Sequence, residues 1–290
     1  MTAKQASAAR WRAKQKAKKL PLPGLPTGAL PETTETDEQI WTKLDDRFGV
    51  LKMLARAACD GTARALIVSG PAGLSKSFTV EKALEEFDPT ETQWRIIKGY
   101  TRATGIYKAL WQSRHKGQVL CFDDSDALFF DELSLNFLKA ALDTTERRRI
   151  SYLAETTLYD EVEAVVIPST FDFNGTCIFI TNYCFLSMIA KGHKLAPHLQ
   201  ALTSRSHYVD LAMKTRRDYY IRIKQVVRNE GMLKDMGMTK TDEDEIMKFI
   251  DDHMDDLNEL SLRTAIKLAN LKKMGPEWKR IGKVTLCKNT

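Results

Sequence analysis

Residues Gly70-Pro71-Ala72-Gly73-Leu74-Ser75-Lys76-Ser77 constrain this chain more than any other segment. A short apolar run, Ala65-Leu66-Ile67-Val68, precedes them, and a stretch with helical spacing follows. The order is strand, glycine-bearing loop, helix. Such a loop turns backbone N–H groups onto phosphate oxygens at a helix N-terminus. The Lys76 ammonium can reach the β- and γ-phosphates of a nucleotide, and the Ser77 hydroxyl can ligate Mg²⁺. The usual pattern is G-x-x-x-x-G-K-[ST], and Ser75 stands where it has a second glycine. If that position needs a left-handed backbone, a residue with a Cβ is strained there.

The rest of the chain alternates. Strands are expected at 64–69, 94–98, 119–122, 177–180 and 206–211. Helices are expected at 37–48, 50–59, 106–114 and 127–146, and one after the loop carries Val80, Ala83, Leu84 and Phe87 at helical spacing. Extended pieces near 149–153 and 164–168 suggest a hairpin. Strands alternating with helices imply a parallel sheet covered on both faces. From Arg216 the pattern is helical only, with Thr241 and Asp244 read as a capping box and Ser261 as a cap. Gly275-Pro276 ends the last of these helices. The reading is an α/β core over 38–214, a small α-helical lid over 215–275 and a C-terminal tail over 276–290.

Residues 1–37 read as a disordered basic and proline-rich tail. Lys4, Arg10, Arg12, Lys14, Lys16, Lys18 and Lys19 fall in the first twenty residues, with no acid. The net charge is +6, so the basic character belongs to this tail and the remainder is near neutral. No apolar run is long enough to span a membrane, and no signal-type segment follows the basic start. The five cysteines show no metal-ligand spacing, and Cys121 and Cys177 fall inside expected strands. Disulfides are not expected, and the chain reads as cytoplasmic.

Val119-Leu120-Cys121-Phe122-Asp123-Asp124 is the second chemical signature. Four apolar residues before two acids describe a buried strand whose tip presents carboxylates, the edge at which open α/β sheets bind ligands. Asp123 can hold Mg²⁺ and Asp124 can orient or deprotonate an attacking water, with Asp126 as the rival carboxylate.

With these residues in order, the chain resembles the AAA+ ATPases, over about residues 38–275. Gly70–Ser77 resembles Walker A, with Phe78 following it, and Val119–Asp124 resembles Walker B. Ile178-Phe179-Ile180-Thr181-Asn182 is similar to the sensor 1 strand and its polar tip. Leu202-Thr203-Ser204-Arg205 resembles an arginine-finger segment, and Ser261-Leu262-Arg263 resembles sensor 2. The style of the sequence also resembles bacteriophage-encoded ATPases, which would place the protein in a host cytoplasm. The resemblance implies a three-layer P-loop core with a five-stranded parallel sheet, a helical lid, and ring assembly, expected as a hexamer, with ATP between subunits. It implies ATP and Mg²⁺ as cofactors, Asn182 positioning water, Arg205 reaching a neighbour's nucleotide and Arg263 sensing γ-phosphate in cis. Arg147, Arg148 and Arg149 are rival finger donors, or a solvated charge run. Tyr100 beside Gly99, with Arg102, falls where the family has a pore loop, and an ordinary packed tyrosine is the alternative. The hairpin near 149–168 is either a second pore element or an insertion.

The function expected on this basis is Mg²⁺-dependent ATP hydrolysis driving remodelling of, or movement along, a macromolecule. Nucleic acid is the favoured partner because of the basic tail. Two alternatives stay open: a protein-remodelling ATPase, and a nucleotide-switched oligomeric module that hydrolyses little. The short Asp124 side chain, where many family members have glutamate, and Ser75 favour the last.

Overall fold

The computed structural model describes residues 34–155 and 157–288. The basic tail expected over the first residues lies outside the described residues up to position 33. Helix α1 spans Asp37–Cys59, entered through a capping box between Thr36 and Gln39. Two helices are expected here, broken near Gly49, but one is formed. Its buried stripe, Ile40, Leu44, Phe48, Leu51, Ala55 and Ala58, runs through unbroken. Continuous burial of one face outweighs the roughly 1 kcal/mol helix penalty of a single glycine.

The core sheet has five strands in the order β2-β3-β8-β1-β9, and every pairing is parallel. They are β1 (Ala65–Ser69), β2 (Trp94–Lys98), β3 (Val119–Asp123), β8 (Thr176–Thr181) and β9 (His207–Asp210). The central strands β1, β3 and β8 are buried throughout, as continuous apolar runs predict for a sheet covered on both faces. Phe122 and Phe179 stack across the β3–β8 pair with ring centroids 5.5 Å apart. The covering helices are α1, α2 (Lys76–Phe87), α3 (Ala103–Gln112), α4 (Glu132–Ala141), α5 (Phe185–Ala190) and α6 (Ala196–Ser204). The single helix expected over 127–146 is instead a 3-10 turn, Asp126–Phe130, followed by α4. The break falls at Asp131, whose carboxylate accepts from the Ser134 N–H at 2.9 Å and starts a new helix. Pro197 sits in the first turn of α6, a position that needs no N–H.

The expected hairpin is present but paired differently. Strand β4 (Arg149–Ser151) pairs with β7 (Thr170–Asp172), and β5 (Leu158–Asp160) pairs with β6 (Val165–Ile167), all antiparallel. The 149–153 piece therefore does not meet the 164–168 piece. The register is set by burying Ile150 opposite Phe171, which puts Arg149 opposite Asp172 on the outer face. The result is a two-stage arm between α4 and β8.

Helices α7 (Arg216–Asn229), α8 (Met232–Asp235), α9 (Lys240–Asp252) and α10 (Leu262–Met274) form the lid. Helix α9 opens two residues earlier than expected, through a capping box of Thr239 and Asp242. Ser261 caps α10, as expected. The segment 276–290, expected only as a tail, carries helix α11 (Trp278–Leu286). Trp278 is buried there, and Gly282 lets the helix approach Phe249 and Leu268. Among the described residues no helix is long and apolar enough to cross a membrane.

Candidate functional site

Parallel register brings the signatures together. Ser69 lies opposite Thr181, and Asp123 opposite Ile180, so β1, β3 and β8 end at one edge. Because β8 lies between β3 and β1, its polar tip Asn182 emerges between the phosphate loop and the paired acids. Backbone bonds fix this edge, with the Gly70 N–H donating to the Thr181 carbonyl at 3.2 Å and the Asp124 N–H to the Ile180 carbonyl at 3.3 Å.

A cavity of about 450 Å³ opens above that edge, between the loop and the lid. Ala72, Gly73, Ser75, Lys76, Ser77 and Phe78 line it from the loop and α2, with Asp124 and Asn182 beside them and Arg263 across from them. Gly70 and Pro71 take part through their carbonyl oxygens. The Lys76 ammonium donates to these at 2.7 and 2.8 Å, and to the Asn182 side-chain oxygen at 3.0 Å. Leu74 turns its side chain into the core. Burial pulls Lys76 down to about 8, against the opposing pull of the Asp124, Asp123 and Asp126 carboxylates.

The Ser77 hydroxyl donates to the Asp123 carboxylate at 2.8 Å. The other Asp123 oxygen lies 3.6 Å from the Lys98 ammonium, which also pairs with Glu81 at 2.5 Å. Burial raises the Asp123 carboxyl, and the Ser77 bond offsets part of that rise. Asp124 is exposed to the cavity and accepts from the Asn182 amide at 3.0 Å. Its rival Asp126 is engaged elsewhere, accepting from the Thr181 hydroxyl at 2.5 Å, and burial raises its carboxyl. Among the described residues no group of three or more His, Cys, Asp or Glu could hold a metal. The one hydroxyl and one carboxylate of Ser77 and Asp123 match the sparse protein ligation of Mg²⁺ in phosphate-bearing sites.

Ser75 has φ 69 and ψ 17, so the non-glycine residue of the motif does occupy the left-handed region. Gly73 is also left-handed, φ 75, and a Cβ there would come within 2.7 Å of the Ser261 Cβ. The lid thus rests on the loop, and the Leu262 N–H donates to the Gly73 carbonyl at 2.9 Å.

Arg205 lies away from this cavity. It donates to the Ala201 carbonyl at 2.9 Å and faces Asp143 at 3.6 Å. The arginine run divides: Arg147 and Arg149 pair with Asp172 at 2.7 and 3.3 Å, while Arg148 is buried and donates to the Ala141 and Gly175 carbonyls. Arg148 is therefore a structural brace at the base of the arm and not part of a solvated run. Tyr100 is 76% exposed, which removes the packed-tyrosine alternative.

Sequence reading missed the lid end of the cavity, where Val226, Glu230, Met232, Asp235, Leu262 and Ile266 line it. It also missed Arg222, whose guanidinium is buried against Ser75. The signal available was an arginine within the apolar face of α7, one helical turn before Val226.

No protein-family model matches the chain. It is similar to an uncharacterised 36.7 kDa protein of the nrdC-mobD intergenic region in Enterobacteria phage T4, at 35% identity over 240 residues, covering 82% of this chain and 73% of the phage protein. Among solved structures, NtrX of Brucella abortus in complex with ATP matches with a TM-score of 0.50 at 12% identity, over 94% of this chain. This chain spans 58% of that NtrX chain, and the likeness is one of fold. A RuvB variant of Thermotoga maritima matches with a TM-score of 0.47 at 12% identity, over 88% of this chain and 73% of that one. With a P-loop type core, a helical lid and this degree of identity and coverage, the chain belongs to the family of the phage T4 protein.

Proposed function

We propose that this protein is an Mg²⁺-dependent ATPase of AAA+ type, which assembles as a ring and remodels or moves along a macromolecule, nucleic acid being the favoured one. The observation that carries this reading is the convergence of Lys76, the Ser77–Asp123 pair and the Asp124–Asn182 pair at one strand edge under Arg263. The fold likeness to NtrX, which was solved with ATP, supports it.

Lys76 would exchange its two carbonyl partners for β- and γ-phosphate oxygens. Ser77 and Asp123 would hold Mg²⁺, which when bound neutralises charge on those oxygens. Asp124 would accept a proton from the attacking water, and Asn182, already hydrogen-bonded to it, would orient that water. Arg263 would reach the γ-phosphate from the lid. Arg205, away from the cavity of its own chain, would serve the site of a neighbouring subunit, stabilising transition-state charge.

Steady-state phosphate release tests the reading. Wild-type protein should hydrolyse ATP, and single- or double-stranded DNA should raise the rate. Asp124→Asn should retain nucleotide and lose turnover. Absence of nucleotide binding in the wild type would overturn the proposal. Deleting residues 1–20 should reduce the slope of log K against log salt by about 2–3 if half the tail charges meet phosphates. An unchanged slope would point to a protein substrate. A second reading, a nucleotide-switched module with little hydrolysis, is favoured by the left-handed Ser75 and the short Asp124 side chain. Tight ATP binding without phosphate release would select it.

A further inference from the structure

Serine at a helix N-cap ordinarily turns its hydroxyl onto the N–H groups of its own helix. Ser75 occupies that position at the start of α2 and makes no such bond. Its hydroxyl accepts instead from Arg222 Nη2 at 2.5 Å. The first turn of α2 is thereby left without a side-chain cap, facing the cavity that the loop lines.

Arg222 is built into a junction of three elements. It extends from lid helix α7 and is 3% exposed. Its guanidinium lies over the Phe48 ring of α1, 3.4 Å from the centroid. The same Nη2 meets Glu230 at 3.2 Å, and Glu230 lines the lid end of the cavity. Gln225, 3.4 Å from Nη1, donates onward to the Trp41 carbonyl at 2.8 Å. Among the described residues Arg222 Nε has no hydrogen-bond partner. A buried guanidinium with an unpaired N–H is costly unless its other contacts are needed. One of those contacts reaches the residue of the loop that departs from glycine.

We propose that Arg222 is a positioning residue that holds Ser75 in its left-handed turn through the Ser75 hydroxyl, latching the phosphate loop to the lid. Glycine adopts that turn without help, and serine does not. The serine therefore makes the shape of the loop conditional on the lid. Glu230 shares the guanidinium, so the occupant of the lid end and the geometry of the phosphate end are joined through one side chain.

This inference rests on the nucleotide-site reading, and the experiment separates the two. Mg-ATP affinity is measured on full-length protein for Ser75→Ala, Arg222→Met, both together, and Arg222→Met with Ser75→Gly, with Lys76→Ala as control. Ser75→Ala and Arg222→Met should each weaken binding about tenfold, the scale of one hydrogen bond to a charged group. The pair should be no weaker than either single change. Ser75→Gly should restore affinity in the Arg222→Met background, which loss of core packing alone would not allow. Additive losses, no rescue by glycine, or wild-type affinity in Ser75→Ala would each overturn the latch. Hydrogen exchange of the loop amides without nucleotide supplies an independent arm: Ser75→Ala should speed exchange over residues 70–77, and unchanged exchange would also overturn it. If wild type binds no nucleotide yet this exchange responds, the nucleotide reading fails and the latch stands. If Arg222→Met does not fold, Ser75→Ala and its exchange decide.

Discussion

The phosphate end of the cavity is made of three short segments at the ends of strands, and the lid end of residues spread along helices. At the phosphate end, parallel pairing of the strands brings Lys76, Asn182 and Asp124 into one hydrogen-bonded chain and sets Asp123 against the Ser77 hydroxyl. At the lid end, Val226, Met232 and Ile266 supply apolar wall, with Glu230 and Asp235 carrying negative charge and Arg263 of the same lid turned toward the phosphate end. The first end has the chemistry to act on phosphates, whichever group they belong to. The second can only recognise what is attached to them. Under the proposed function, activity and selectivity fall to different ends of one cavity, and mutations should separate them.

The largest separation is expected at Asp124. Asp124→Asn should lower turnover on the order of 10²–10⁴-fold, the usual range for a lost general base, with nucleotide affinity little changed. Asp126→Asn should leave turnover near wild type, because that carboxylate is occupied by Thr181. The reverse pattern would break the assignment of the phosphate end. Lys76→Ala should lower Mg-ATP affinity about 100-fold, from two lost charge-assisted bonds. Inorganic triphosphate should lose affinity in parallel, which calorimetry can read. Ile266→Ala, at the other end, should weaken ATP about 5–10-fold through lost apolar contact. Here triphosphate binding should not move, and a parallel loss would erase the distinction between the ends.

The smallest effect is pH dependence. On the proposed reading Lys76 must be charged to hold phosphate, and burial brings it down to about 8. Affinity should therefore fall about fourfold between roughly pH 7 and 8.5, a change absent from Ile266-dependent selectivity. The same shift acts in the opposite sense on folding. Between about 8 and the ordinary lysine value of 10.5 the unfolded chain binds the extra proton, so the stability of the nucleotide-free protein should rise with pH across that window. Thermal melts of wild type and Lys76→Met should diverge there, and parallel curves would contradict it.

The same contrast explains what could be read from the sequence. The central strands β1, β3 and β8 were legible because buried parallel strands are unbroken apolar runs, and the partly exposed β2 and β9 were legible from their place in the alternation of strands and helices. The phosphate end was legible because its geometry is local, a loop between a strand and a helix. Gly49 misled because a breaker residue was weighed without the stripe on either side of it. The pairing of the arm was hidden because Ile150 and Phe171 find each other across a long interval. The lid end was illegible for a related reason. Val226, Met232 and Ile266 look like any helical core residues until the lid is docked, and Arg222 declares itself only once Phe48 and Ser75 surround it.

The two-stage arm has a consequence for how this family can vary. It leaves the core at Arg149 and returns at Asp172, and those two residues face each other across one pair of strands. Arg148 ties the base down, and the second stage is fastened to the core by Gln112–Asp160 at 2.8 Å and a two-pronged Arg114–Glu163 pair at 2.9 and 3.0 Å. The connection between the stages carries Leu153, which is 82% exposed. Chain added at Leu153 would lengthen a loop whose two ends are each anchored, without disturbing the register of β3 or β8. It is a natural place for relatives to differ in length, and for a spectroscopic label or an affinity peptide to be grafted without touching the strand edge that floors the cavity.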